Sequence, residues 1–459
     1  MFVSIKVKVL VDSAGPGIDM PALLTPVGLL RPLLDYFVAE QHKSLSWMRK
    51  VTHSVQLFLE YMHANPSEVD TRVLFANFAR RLYTGTFDLQ TRADPSGLCW
   101  APRSISDASR IISDLNLFLD WQGERQPAAL SVNPRVSASR YEKQWLDAAT
   151  RYRRENALLG HLWSRRDEAS VSSSRQVRAK RGPHSRDGEP PAFPEGEFMN
   201  LLTDGFRVGK RIDYRGQLIT LLLHGAGFRE SEPFHLYIED VAHDPINPGA
   251  ALVRIHHPSA GHAPSSWRGN LKKNKRGTRA EYLMDEFGLK PRNQNFDNSH
   301  AGWKGGLCDA PYYMEARWFE AQYGTIFMDA WLRYLHQISR IDRNHPFAFV
   351  NLGRGRLGDP YKVSQFNDAH AAACRRIGLN VRKDLGTTPH GHRHAYGRRL
   401  VKAGMNQKYI RIFMHHASIE SQAVYTQPTS AEVAEALQSS MDRLAASSAE
   451  RLRKRQASE

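Results

Sequence analysis

Apolar residues recur at three- and four-residue intervals through the early part of the chain, and that period commits the stretch to amphipathic helices packed on one another. Trp47, Met48, Val51, Val55, Phe58, Leu59 and Met62 fall on one helix face. Ile105, Ala108, Ile111, Ile112, Leu115, Phe118 and Leu119 form a second stripe, with Ser104 placed as its N-cap. Between them Val69 to Leu82 forms a third helical stretch, closed by a turn at Gly85. The pattern predicts a compact helical domain over residues 29–150. Ahead of it Met1 to Leu10 alternates apolar and polar residues, which predicts a short strand within an N-terminal arm, residues 1–28.

From about residue 164 to 197 the periodicity is lost. Ser172, Ser173, Ser174, Gly182, Pro183, Gly188, Pro190, Pro191 and Pro194 interrupt it, and Arg165, Arg166, Arg175, Arg178, Lys180, Arg181 and Arg186 add positive charge. Residues 151–192 read as a basic linker, either a solvated hinge or a segment lying along a polyanion. A second domain follows over 193–430. Ile212 to His224 reads as a helix, Ala251 to His257 as a strand and Phe347 to Leu352 as a further strand-like run. Helical stretches follow at 361–377, 394–404 and 406–415. Val433, Ala436, Leu437, Met441 and Leu444 then place a tail helix in residues 431–459, which ends in a basic run. The fold class expected is mainly α with a small β-sheet: a helical domain followed by a mixed α/β domain.

A length of 459 residues suits two or three domains, and 41% hydrophobic content is enough for real cores. The net charge of +16 and the sequence pI near 9.8 point to a polyanionic partner, because each Lys or Arg set on a phosphate releases condensed counterions. Cys99, Cys308 and Cys374 are odd in number and far apart. They suggest neither a disulfide framework nor a thiolate zinc site and fit a reducing cytoplasm. No run approaches the 18 apolar residues of a membrane span, and the N-terminus lacks a signal-peptide core.

The chemistry-bearing residues lie in two segments. Downstream, Thr388-Pro-His-Gly-His-Arg-His is followed by Phe413-Met-His-His and then by Tyr425, nine residues after His416. Upstream, Leu221-Leu-Leu-His-Gly-Ala-Gly-Phe-Arg-Glu-Ser-Glu232 is an apolar run ending in Gly-x-Arg-x-x-Glu. Together these resemble the tyrosine recombinases, the phage integrase family. That family carries a His-x-x-Arg box, a Leu-Gly-His segment, a tyrosine nine residues further on and an upstream Gly-x-Arg-x-x-Glu. Met414-His415 stands here where the family has Leu-Gly. The resemblance covers about 190–430, with gaps, and residues 29–150 resemble the family's helical core-binding domain.

The resemblance implies that Tyr425 is the nucleophile and that Arg229 and Arg393 clamp the phosphate. It makes His390 an acid/base, His416 a donor to a non-bridging oxygen and Glu232 a buttress for the arginines. Opening a phosphodiester without metal requires an oxygen nucleophile, neutralised non-bridging oxygens and a proton for the leaving 5′ oxygen. Arginine forks grip phosphate and keep their charge, and histidine moves protons near neutral pH. The product would be a 3′-phosphotyrosine and a free 5′-hydroxyl, with strand exchange through a Holliday junction in a tetramer. The tail helix would dock on a neighbouring subunit or on its own. The partner implied is double-stranded DNA, with accessory proteins left open, and no cofactor or membrane is implied.

The family's general-acid lysine sits on the turn of a β-hairpin after the first arginine. Ala251 to His257 resembles the first strand, and the segment starting Arg279-Ala-Glu-Tyr-Leu is expected to return as the second. The turn is expanded within an insertion near 258–325, leaving Lys273 and Lys275 as the favoured lysines and Lys304 as a further one. Arg268, Lys272, Arg276 and Arg279 read with them as a DNA-facing patch, joined by Arg178, Lys180 and Arg181 of the linker.

Duller readings compete at each point. Tyr425 alone would be a packing tyrosine, and the arginines alone would be surface ion-pair partners. His390, His392 and His394 alternate as metal ligands can, but Arg393 lies among them and no Cys or carboxylate has ligand spacing. Gly353-Arg-Gly-Arg-Leu-Gly358 matches a dinucleotide fingerprint but lacks a βαβ frame and reads as a basic loop. The function expected is site-specific recombination or integration for a mobile element. A relaxing enzyme of the type IB topoisomerase kind and a DNA-binding protein with a decayed site are the alternatives.

Overall fold

The computed structural model describes residues 1–11, 17–88, 90–125, 132–137, 173–180, 190–269, 277–353 and 355–417, with a few isolated positions besides. The chain divides into two compact units, Met1–Ser185 and Arg186–Glu459.

In the first unit, β1 (Val3–Val9), β2 (Ile18–Thr25) and β3 (Gly28–Leu29) form an antiparallel sheet in that order, with Val3 opposite Leu24 and Val9 opposite Ile18. The strand expected near Met1 to Leu10 is β1, and it is one of three in this layer. Met20, Ala22 and Leu23 on β2 are fully buried, and β2 packs on α2. Four helices follow: α1 (Arg31–Ala39), α2 (Leu45–Ala64), α3 (Thr71–Thr84) and α4 (Ile105–Arg125). The stripes read from the sequence supply their core. Met48, Val51, Val55 and Phe58 meet Phe75 and Phe78 of α3 and Ile111, Ile112 and Leu115 of α4, with Phe58 edge-on to both phenylalanines. Ser44 caps α2 through the Trp47 amide, Asp70 caps α3, and Ser104 accepts from the Asp107 amide at the start of α4.

Part of the expected linker belongs to this unit. β5 (Ser173–Arg175) pairs antiparallel with β4 (Arg135–Ser137), and Arg175 is bound to Asp120 and to the Asn133 carbonyl. The Lys180 amide donates to the Tyr83 hydroxyl at 2.8 Å, with the Lys180 ammonium over the same ring.

The second unit is built round one helix, α5 (Tyr214–Ala226). Leu218, Ile219, Leu221, Leu222, Leu223 and Ala226 are all buried, so the helix is apolar on every side, as a core helix must be. A helical turn over 198–205 and a small two-stranded ribbon, β6 (Arg207–Val208) with β7 (Arg211–Ile212), precede it. The strands β8 (Val241–His243), β9 (Ala251–His256) and β10 (Tyr313–Glu315) form an antiparallel sheet with β9 central, burying Val253, Ile255 and Met314. Then come α7 (Ala321–Ile338), α8 (Val363–Arg376), α9 (Pro389–Lys402) and α10 (Gln407–Phe413), of which α7, α8 and α9 pack on α5. The earlier helix α6 (Arg279–Phe287) lies in the loop that joins β9 to β10.

Two expectations change here. Residues 279–283 do not return as a strand. Thr278 and Glu281 close a capping box, the Glu281 carboxylate accepting from the Thr278 amide at 2.7 Å, and α6 begins there. The strand that returns along β9 after the loop is β10, so the loop of the hairpin spans 257–312. Phe347 to Leu352 is extended but joins no sheet. The Tyr334 hydroxyl donates to the Ala348 carbonyl and accepts from the Val350 amide, standing where a strand partner would.

The long loop is fastened by two buried arginines. Arg279, 1% exposed, donates to the carbonyls of His235 and His262 and to Asp240, and lies over the Tyr237 ring. Its expected place in a DNA-facing patch is corrected on that ground: its donors are spent inside the protein. Arg292 donates to the carbonyls of Ser299, Phe234 and Tyr361 at 2.9, 3.1 and 2.8 Å. Burial draws its pKa down to about 10, with Asp297 opposing.

Candidate active site

The apolar α5 ends at Gly227, whose φ of +71° is left-handed and whose missing side chain leaves room for the Tyr396 ring. Two residues on is Arg229. Its amide and its Nη1 donate to the two oxygens of Glu232 at 2.7 and 2.9 Å, and Glu232 is fully buried. A buried carboxylate gripped at both oxygens fixes the guanidinium while leaving the Arg229 side chain partly exposed.

Arg393 joins this turn to the one before His416. It lies on α9, is 2% exposed, and donates through Nη1 to the Gly227 carbonyl and through Nη2 to the Met414 carbonyl, the latter at 2.6 Å. One guanidinium thus bridges the chain two residues before Arg229 and two residues before His416. His390 stands one turn earlier on α9, edge-on to His394 at 4.4 Å. Crowding by protein and the charges of Arg393, Lys304, Lys383 and Arg229 push His390 down to about 4. Burial and the charges of Arg393, Arg229 and His415 likewise bring His416 to about 3. Both imidazoles are neutral near pH 7.

Arg229, His390, Arg393 and His416 are therefore brought together with Glu232. Lys304 is exposed on the segment 302–307, where Gly302 accepts from Ser231 at 2.6 Å and Leu307 donates to the His415 carbonyl at 3.2 Å. Tyr425, Lys272, Lys273, Lys275, Arg276, Arg181 and most of the tail helix lie outside the described residues. Arg268 and Arg178 are exposed.

The alternating histidines do not converge. His392 is fully buried, stacked on Phe193, and lies between His224 at 3.1 Å and His370 at 2.8 Å. His224 continues to Glu195 and Arg399, and His370 to Cys374. Burial holds His370 at about 3 and His224 at about 4. Among the described residues no group of three or more His, Cys, Asp or Glu could hold a metal, and no helix is long and apolar enough to cross a membrane. Gly353 and residues 355–358 lie in a loop closed by Asn351, with no helix directly after it.

Two neighbours of the site were not singled out by the sequence. Asp309 binds His415, and Gly306 packs against Arg229. The only trace of them was the histidine standing where the family has glycine.

Residues 324–432, which include His390, Arg393, His416 and Tyr425, match the phage integrase family. The chain carries a phage integrase domain. No curated protein matches it by sequence. Among solved structures it is similar to the XerH site-specific recombinase bound to difH substrate, at 12% identity and a TM-score of 0.45, covering 84% of this chain and 78% of that one. It is also similar to the Tn1549 transposon integrase in complex with transposon right end DNA, at 16% identity and a TM-score of 0.36, covering 85% and 99%. A lambda integrase dimer bound to a core site is similar at 10% identity and a TM-score of 0.38, covering 87% and 95%. At such distances the domain match carries the assignment.

Proposed function

We propose that this chain is a site-specific DNA recombinase of the integrase kind, cutting and rejoining duplex DNA through Tyr425 for a mobile element. The observation that carries the reading is Arg393, whose guanidinium ties the Arg229 turn to the His416 turn from the helix that bears His390.

In this reading the scissile phosphate sits against the partly exposed Arg229, with the buried Arg393 adding its charge from the turn behind and the His416 N–H on a non-bridging oxygen. Neutral His390 takes the phenol proton as the Tyr425 oxygen attacks phosphorus. The bond from phosphorus to the 5′ oxygen breaks, and that oxygen takes a proton from a lysine. We assign the lysine to Lys304, because its charge acts on His390 and its segment packs beside Arg229. Lys273 and Lys275 are the competing choices. The 3′-phosphotyrosine keeps the energy of the broken bond, so a free 5′-hydroxyl reseals the strand by the reverse steps. Charge neutralisation by arginine makes metal and nucleotide unnecessary to the scheme. Strand exchange would pair two sites in a tetramer joined through residues 431–459, with accessory proteins where the sites require them.

The test is to incubate the full chain with nicked duplexes tiled across the DNA flanking its gene, then to look for protein–DNA adducts that survive denaturant. Adduct with the wild type and none with Tyr425→Phe is the expected result. Adduct and plasmid relaxation without recombinant product would make it a topoisomerase-like enzyme, and DNA binding without adduct on any duplex would make it a binding protein.

A further inference from the structure

His415 occupies a strained position for a reason that the cleavage chemistry above does not use. Its φ is +50°, a left-handed value that costs a bulky residue about 1 kcal/mol or more. Its ring is 1% exposed and stacks on Phe228, the residue before Arg229, with centroids 5.2 Å apart and planes 15° from parallel. Nε2 meets Asp309 Oδ2 at 2.9 Å, and Nδ1 is buried with no partner among the described residues. That hydrogen bond ties the His416 turn to the long loop of the β9–β10 hairpin.

Asp309 is itself fixed. Its carboxylate accepts from the Glu315 amide at 2.7 Å and faces Arg317, and its own amide donates to the Tyr313 carbonyl at 3.0 Å, closing the turn into β10. Burial would raise its pKa, but the His415 hydrogen bond, the Glu315 amide and the charges of His415 and Arg317 hold it below the usual range. Three residues earlier Gly306 runs so close to the site that a Cβ would stand 2.8 Å from the His415 carbonyl and 3.2 Å from Arg229 Nη1. Leu307 then donates to the same carbonyl. Residues 306–309 form a strap held to the His416 turn at two points, and Lys304 lies two residues before it.

We propose that His415 and Asp309 are positioning residues, a latch that ties the hairpin loop to the His416 turn and so fixes Lys304 against the scissile phosphate. The inference rests on the cleavage reading above. It gives the histidine a purpose that glycine could not serve: glycine would relieve the backbone and release the strap.

The test uses the full-length chain, a nicked duplex that the wild type cuts, and the same duplex with sulfur as the bridging 5′ atom. A thiolate leaves without being protonated, so the sulfur substrate removes the need for the lysine. Asp309→Asn and His415→Gly should each slow single-turnover cleavage of the oxygen duplex at least tenfold, bind it within twofold of wild type, and regain most of the lost rate on sulfur. The double variant should be no slower than either single one. Equal losses on oxygen and sulfur, or unchanged rates, overturn the latch, as does a loss of binding in step with cleavage. Should Asp309→Asn not fold, His415→Gly decides alone, since glycine suits the backbone there. If the wild type cuts nothing, the cleavage reading falls and not the latch alone.

Discussion

Lowering the pH from about 7 to about 5 should loosen the second unit well before its carboxylates titrate. His224, His235 and His370 are all buried, and burial brings them to about 4, 3 and 3. Unfolded, each would bind its proton near the ordinary value of 6.5. Below that value the unfolded chain gains protons that the folded chain refuses, so the stability present above it is lost as pH falls toward the folded values. The loss is about 1.4 kcal/mol per pH unit per histidine, or about 2 kcal/mol each by pH 5. Three independent histidines would lose about 6 kcal/mol, a large part of a typical domain's 5–15 kcal/mol. His224 and His370 both bond His392, so their shares overlap and the total lies below that bound. Urea melts across this pH range measure it, with hydrogen exchange in peptides from α5 and α9 locating it. Replacing His370 by Leu should lower stability at neutral pH and remove about one proton from the slope. A slope of less than one proton between pH 6.5 and 5, or exchange in α5 and α9 that does not quicken, refutes the reasoning.

Further outcomes follow from the same contacts. Glu232→Gln leaves the Arg229 charge without its buried partner and should cost about 3 kcal/mol in urea melts while abolishing most adduct formation. Bound DNA phosphate offsets the cations around His390, so its pKa, followed by NMR against His390→Asn, should climb from about 4 toward the ordinary value. Arg279→Ala should destabilise the chain by about 3–5 kcal/mol with the salt dependence of DNA binding unchanged. Arg268→Ala should leave stability alone and lower the salt slope by about one. Lys304→Ala should cut the sulfur-linked duplex normally and the oxygen-linked one poorly; that pattern in Lys273→Ala or Lys275→Ala, with Lys304→Ala cutting both normally, would move the general acid there.

The helical framework was legible because its signal is local. The stripes at 47–62 and 105–119 became the cores of α2 and α4, and the apolar run before Arg229 became the central α5. The loop between β9 and β10 was not legible in the same way. Its shape depends on Arg279 and Arg292 reaching carbonyls 44 to 69 residues away, contacts with no period to betray them. The capping box at Thr278 and Glu281 was a local signal that outweighed the expectation of a returning strand. Likewise a basic residue in a basic run reads as DNA-facing until its donors are traced, which is how Arg279 misleads. His415 was visible only as a departure, and its partner Asp309 lies 106 residues away.

The central claim is a covalent bond to one oxygen of one residue. Adduct formed on a nicked duplex can be digested with protease and nuclease and the nucleotide-bearing peptide sequenced by mass spectrometry. The account predicts a single nucleotide joined through its 3′-phosphate to Tyr425, with a 5′-hydroxyl on the released strand. A nucleotide on any other residue, or a 5′-phosphate linkage, would contradict it.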